Sequence, residues 1–240
     1  MQLLYGFLLA IIISFLAYKA HSLNKSGAIA AFFIGTIIFG IGGWQWAVLL
    51  LIFFITSSAL SRAFKKKKQN LDEKFSKGSQ RDAGQVFGNG GIPAFFAALN
   101  FFYPNEPILW LCFSASLAAV NADTWATELG VLNKTPPRLI TNLNKVVEKG
   151  TSGGISLTGL IASLAGSGLI AFFASLLTSN WSLLFIITLA GLSASLFDSF
   201  LGGTVQAMYF CPTDNKETEK HPTPHLWHSN HSPSRLEMVG

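Results

Sequence analysis

Over its first 210 residues the chain alternates long apolar runs with polar breaks of two very different lengths. A membrane-spanning helix needs roughly 20 mostly apolar residues. Runs at about 3–18, 27–41, 44–60, 92–103, 107–120, 157–177 and 181–208 predict seven transmembrane or half-spanning helices, the fourth and fifth being short enough for half-spans. Three of the breaks are tight: Gly42-Gly43, Pro104-Asn105-Glu106 and Ser179-Asn180. Two are long polar stretches, about 62–91 and 123–156. Residues 211–240 are polar and rich in His, Pro and Ser, and read as a disordered tail outside a single membrane domain, 1–210. The predicted fold class is an all-α polytopic membrane protein.

Composition strengthens that pattern. Half of the residues are hydrophobic and only 12% are charged, with a mean hydropathy of +0.43; soluble domains are about 25% charged. Soluble enzymes, nucleic-acid readers and disulfide-stapled secreted domains are excluded on these grounds. Cys112 and Cys211 are too few for a disulfide framework and fit no metal spacing. Charge then orients the bundle. If the spans alternate, all 17 Lys and Arg residues fall on one side. Positive loops stay cytoplasmic, so the N-terminus is expected outside and both long loops in the cytosol. Met1-Gln2 offers no basic leader, so the first span is expected to be retained rather than cleaved. Lys65 to Lys68 reads as a positive-inside anchor, and Trp44, Trp46, Trp110 and Trp181 as interfacial aromatics.

Small residues at helical spacing (Gly27, Ala31 and Gly35; Gly159, Ser163 and Gly166) predict close helix packing and nothing chemical. The carboxylates differ. Asp123, Glu128 and Asp198 lie inside or at the edge of apolar spans, where a charge costs on the order of 2.5–3.5 kcal/mol. Asp123 sits in Asn121-Ala-Asp-Thr-Trp-Ala-Thr-Glu128, and Asp198 beside Ser195, Ser199 and Gly202. Such oxygen-rich clusters suit a hard cation such as Mg²⁺. The cytosolic loops add cations and glycines: Lys77, Arg81, Asp82 and Gly88-Asn89-Gly90-Gly91 in the first; Arg138, Lys145, Lys149 and Gly150-Thr151-Ser152-Gly153-Gly154 in the second. Glycine backbones before a helix N-terminus can cradle a polyphosphate. Neither loop matches the P-loop pattern. The tail histidines, His221, His225, His228 and His231, are expected to bind nothing specific.

Four stretches resemble blocks of the DUF92 membrane family, which includes transmembrane protein 19-like and phytyl-phosphate kinase-like members. They are 121–130, 137–141 (Pro-Arg-Leu-Ile-Thr), 150–160 and 195–206. Lys25-Ser26-Gly27-Ala28 and Arg81 to Gly91 look like further blocks, so the resemblance runs from about 1 to 219. The tail departs from it: Cys211-Pro-Thr-Asp has no second Cys, and no aromatic block or last span follows, as if the end were truncated or frameshifted. The resemblance implies a membrane-embedded kinase that moves a phosphoryl group from ATP or CTP to an isoprenoid monophosphate, giving the diphosphate. In that scheme Asp123 and Asp198, with Glu128 or Asp82, hold Mg²⁺. Arg81 joins the two aspartates in catalysis. Lys77, Asn89, Gly90, Gly91, Asn121, Arg138, Lys145, Lys149, Gly150, Thr151, Gly153 and Gly154 hold phosphates. The expected partners are the bilayer, the lipid phosphate and the nucleotide, with homo-oligomerisation left open and the active face in the cytosol. The alternatives are a CTP-dependent nucleotidyl transferase on a lipid phosphate and an ion-coupled transporter.

Overall fold

A computed structural model of the chain describes residues 1–64, 80–104 and 106–205, and the backbone of 209–211 and 216–218. Lys77, Lys65 to Lys68 and the tail histidines lie outside the described residues. Long helices form at α1 (Gln2–Lys19), α2 (Lys25–Ile37, continued by a π-helical turn at Ile38–Gly42), α3 (Trp44–Ala63), α4 (Ala83–Phe102), α5 (Pro107–Gly130), α6 (Leu157–Thr178) and α7 (Ser182–Thr204). Five of them, α1, α2 with its π turn, α3, α6 and α7, are long and apolar enough to cross a membrane. The protein is an all-α polytopic membrane protein.

The helices α4 and α5 run 20 and 24 residues, longer than the apolar runs that predict them, yet neither is among the five helices long and apolar enough to cross a membrane. The first begins at Ala83 rather than near 92 because Asp82 and Gln85 form a capping box, with Asp82 accepting from the Gln85 amide at 2.8 Å and the Gln85 side chain returning to the Asp82 amide at 3.1 Å. Gly88 to Gly91 therefore lie inside a helix and make no loop. The other extends to Gly130, carrying Asn121, Asp123 and Glu128 on helical turns.

Lipid and core divide each helix into two faces. On α1, Leu4, Phe7, Ile11 and Phe15 point outward, while Gly6, Ala10, Ser14 and Ala17 are buried against α2. A Cβ on Gly6 would come within 2.4 Å of the Gly40 backbone. Small residues permit this approach, as the packing of helices in lipid requires. The core proper holds Leu49, Phe113, Leu117, Ile170 and Ile187, each almost wholly buried. Trp46 and Trp110 join it, their rings 5.5 Å apart and edge-on, with Phe113 alongside. Only Trp44 and Trp181 of the four expected interfacial tryptophans are exposed.

The described termini of the long connections share one end of the bundle. There Arg62 on α3 donates to the Ala20 carbonyl and Ser22, and Arg81 bridges in parallel with Leu23. The connection after α5 departs from an all-helical fold. It makes a small antiparallel sheet in the order β2-β1-β3, from β1 (Arg138–Leu139), β2 (Asn142–Val146) and β3 (Gly154–Ile155). A two-stranded ribbon, β4 (Tyr209–Cys211) with β5 (Lys216–Thr218), follows α7.

Candidate functional site

Three helices and one loop build a cavity of about 460 Å³ at the end of the bundle where the basic residues gather. The helices are α5, α6 and α7, and glycines set their separation. Gly159 lies against Ala126 and Gly130, Gly166 against Asn121 and Trp125, and Gly191 against Ala118 and Ser167; an added Cβ would stand 3.5, 3.0 and 2.6 Å from its nearest atom in these contacts. Asp123 and Thr127 enter the cavity from α5, Gly159 and Ser163 from α6, and Ser195, Asp198 and Ser199 from α7. The two aspartates, 75 residues apart in sequence, thus face one space and lie within electrostatic range of each other.

The loop supplies the roof. Ser156 caps α6 by accepting from the Gly159 amide at 3.1 Å. Gly150 and Gly153 adopt positive φ, at 85° and 76°, a backbone that side chains disfavour. Gly153 presses on α7, where a Cβ would fall 2.5 Å from the Gly203 Cα. Arg138 and Lys149 line the cavity with Gly150, Thr151, Gly153 and Gly154. The Arg138 guanidinium donates to the Leu143 carbonyl at 2.6 Å, and the Lys149 ammonium to the Val131 carbonyl at 3.2 Å and the Asn133 carbonyl. Two carboxylates and two cations therefore meet in one concave site. The cradle of backbone N–H groups is narrower than expected, because the amides of Thr151 and Gly154 are committed to turns with Glu148 and Thr151.

Other residues singled out from the sequence fall elsewhere. Glu128 lies five residues after Asp123, about 140° around the helix, and is no part of the cavity lining. It faces α3, accepting from Ser61 Oγ at 2.8 Å. Asn121 is fully buried: it accepts from Ser57 at 3.1 Å and donates to the Gly166 carbonyl at 2.8 Å, so it ties α3, α5 and α6 together and is no part of the cavity lining. Asp82 caps α4, and Asn89, Gly90 and Gly91 lie within that helix, where their amides serve its ladder. Lys145 projects from the exposed strand β2, outside the cavity lining.

Arg81 also lies away from the two aspartates. Its guanidinium sits 5.8 Å from the ring centres of both Phe53 and Phe54 and 3.5 Å from Ser58 Oγ. Burial holds it below its ordinary value, and the nearby Glu128 carboxylate works in the opposite direction. It borders a second, largely apolar cavity of about 80 Å³ among α1 to α4, together with Ile34, Phe39 and Asn89.

Ser195 lines the cavity beside Asp198, as its place in the sequence suggests, whereas Ser163 is a cavity-lining hydroxyl that residue spacing alone does not single out. By sequence Ser163 belongs to a small-residue packing stripe. Its spacing from Gly159 and Gly166, i+4 and i−3, marked the right face of α6; that this face meets a cavity was not contained in the spacing.

Comparison with known proteins agrees with the sequence blocks. The profile of the family described as "Integral membrane protein DUF92" matches residues 8–238, reaching past residue 219 into the tail. Protein PGR of Arabidopsis thaliana is 36% identical over 91% of this chain and 84% of its own length. An uncharacterized membrane protein of Methanocaldococcus jannaschii is 34% identical over 84% of this chain and 82% of its own. Protein VTE6, chloroplastic, of Arabidopsis thaliana is 26% identical over 77% of this chain and 56% of its own. No solved structure matches the chain. With a profile match along nearly its whole length and a relative 36% identical over most of both chains, the chain belongs to the DUF92 family of integral membrane proteins.

Proposed function

We propose that the cavity under α5, α6 and α7 is a phosphotransfer site, which moves the terminal phosphoryl group of a nucleoside triphosphate onto an isoprenoid monophosphate. The observation that carries this is the convergence of Asp123 and Asp198, from two helices, with Arg138 and Lys149 from the loop. Apolar side chains of the same cavity, Leu157, Leu160 and Leu196, suit the hydrocarbon of a lipid acceptor. The basic residues that gather at this end argue for a cytosolic site, where nucleotides are found.

Phosphoryl transfer demands positioning and charge neutralisation more than a protein nucleophile. An oxygen of the lipid monophosphate attacks the γ-phosphorus, the bond to the β–γ bridging oxygen breaks, and that electron pair leaves with the nucleoside diphosphate. Arg138 and Lys149 hold the phosphates by charge, and the positive-φ glycines let the backbone approach them. The donor set fits Mg²⁺: carboxylates and hydroxyls, all hard oxygens. Asp123 and Asp198 would hold the ion, whereas Glu128 and Asp82 are committed to α3 and to a helix cap. No group of three or more His, Cys, Asp or Glu residues able to hold a metal occurs among the described residues, so hydroxyls, water and phosphate oxygens would complete the shell. When bound, Mg²⁺ would supply charge neutralisation at the transferring phosphoryl group.

The test is an assay on purified protein in detergent. It offers phytyl, geranylgeranyl and farnesyl monophosphates with ATP or CTP and Mg²⁺, and resolves lipid diphosphate from pyrophosphate. Lipid diphosphate is the expected product. Pyrophosphate release without it would replace the kinase by a nucleotidyl transferase, and folded protein that turns over none of these pairs would overturn the assignment.

A further inference from the structure

Buried hydroxyls in α-helices have an inexpensive default partner, the carbonyl three or four residues earlier. This chain uses it repeatedly. Thr56, Thr124, Ser167, Thr178, Thr188 and Ser199 all donate back along their own helices at 2.7–3.2 Å. Ser163 does not. It is 2% exposed and its Oγ has no hydrogen-bond partner. Three serine hydroxyls among the described residues share that state, those of Ser114, Ser163 and Ser175. Of these, Ser163 alone lines the cavity that holds Asp123 and Asp198.

Its level in the bundle follows from the glycine contacts. Gly159 on α6 meets Ala126 and Gly130 of α5, and Gly166 meets Asn121 and Trp125. Ser163, between those glycines on the same face of α6, stands level with the segment of α5 that bears Asp123. On α7, Gly191 meets Ser167, so Ser195 lies one turn beyond that contact, toward Asp198. Asp123, Ser163, Ser195 and Asp198 thus border one cavity from three helices.

We propose that Ser163 Oγ is a protein ligand of the divalent cation held by Asp123 and Asp198, an assignment that rests on the reading of the cavity as a cation-dependent phosphotransfer site. Two carboxylates balance the charge of a divalent ion, and a neutral hydroxyl adds a hard oxygen without adding charge. An unsatisfied buried hydroxyl is destabilising, and a cation at this place relieves that cost for Ser163. Ser163 is thus set apart from Gly159 and Gly166, its neighbours on the packing face.

The experiment measures Mn²⁺ binding to full-length protein in detergent, without nucleotide, from the loss of the free-ion resonance signal, and repeats it with Cd²⁺ in competition. Ser163→Ala is expected to weaken Mn²⁺ binding about tenfold, in the range found when metal-site support is removed. Ser163→Cys keeps the volume and softens the ligand. It should weaken Mn²⁺ and tighten Cd²⁺, inverting a preference that a packing role would leave untouched. Ser175→Ala, which removes an equally buried and unpartnered hydroxyl outside the cavity, should bind Mn²⁺ as the wild type does. Mn²⁺ affinity unchanged in Ser163→Ala, or a Cd²⁺ to Mn²⁺ ratio unchanged in Ser163→Cys, overturns the assignment of Ser163. Asp123→Asn separates the two levels: if it loses Mn²⁺ while the Ser163 variants keep it, only this assignment falls. If it binds Mn²⁺ normally, the cation site itself falls, and Ser163 with it.

Discussion

Toward α3, the helix α5 presents Asn121 and Glu128; toward α6 and α7 it presents Asp123 and Thr127. Both faces are polar, and both lie in segments that would otherwise be read as apolar. On the α3 side, Ser57 and Ser61, one turn apart, each donate to a partner on α5, and Asn121 passes the connection on to α6. On the cavity side, Asp123, Ser163 and Asp198 converge from three helices on an open space. A polar residue inside a membrane protein is therefore no sign of chemistry by itself. One whose hydrogen-bonding capacity is spent on a neighbouring helix is a fastener, and one that faces a concave space beside its own kind is a candidate for a ligand.

The sharpest way to break this contrast is to remove one charge from each face. Asp198→Asn should lower phosphotransfer by about 10²–10³, the usual effect of deleting one charge-stabilising group, and leave thermal unfolding in detergent within a few degrees of wild type. Glu128→Gln should reverse the profile, with Mn²⁺ binding retained and the melting temperature lowered. If both variants lose cation binding equally, the two faces are not distinct. Next in size is Gly153→Ala. It combines a positive-φ position with a contact too close for a Cβ. Lifting the loop from α7 should reduce turnover at least tenfold, with faster amide exchange over residues 138–155 and unchanged exchange in α5.

Asn121→Leu tests the fastening face alone. It strands the Ser57 hydroxyl and removes the second bond to the Gly166 carbonyl, and should destabilise the protein by about 1–3 kcal/mol. A cycle with Ser57→Ala should show a coupling near 0.6 kcal/mol, the average for such bonds between membrane helices. The smallest expected effect belongs to Lys145→Ala on the exposed strand β2, less than twofold in turnover. A large loss there would place the phosphates outside the cavity.

Much of this arrangement could be read from residue order. Apolar run length marked the helices, and the one-sided distribution of Lys and Arg marked the end of the bundle where the cavity lies. Asp123 and Asp198 stood out because a carboxylate in an apolar run needs a reason. The start of α4 was also legible in principle, since Asp82-Ala-Gly-Gln85 is a capping box. The glycines at 88, 90 and 91 hid it, although glycine is common in membrane helices. Spacing also places Asn121 and Glu128, seven residues apart, on one face of α5 and Asp123 on another. What no spacing contains is which face meets which helix. Glu128 resembled Asp123 in type and neighbourhood until α3 was seen to carry Ser61 opposite it. Ser163 resembled its packing neighbours for the same reason.

The contact between α1 and the π turn is asymmetric in a way that bears on how these positions can drift over evolutionary time. At Gly6 an added methyl meets the Cα and N of Gly40 at 2.4 Å, which are backbone atoms that no substitution can retract. At Gly40 the nearest obstacle is the Leu3 side chain at 3.1 Å, which can rotate away or be trimmed by a second mutation. One partner is locked and the other is negotiable. Lineages can reach alanine at position 40 through a paired change at position 3, while position 6 stays glycine for as long as the two helices cross where they do.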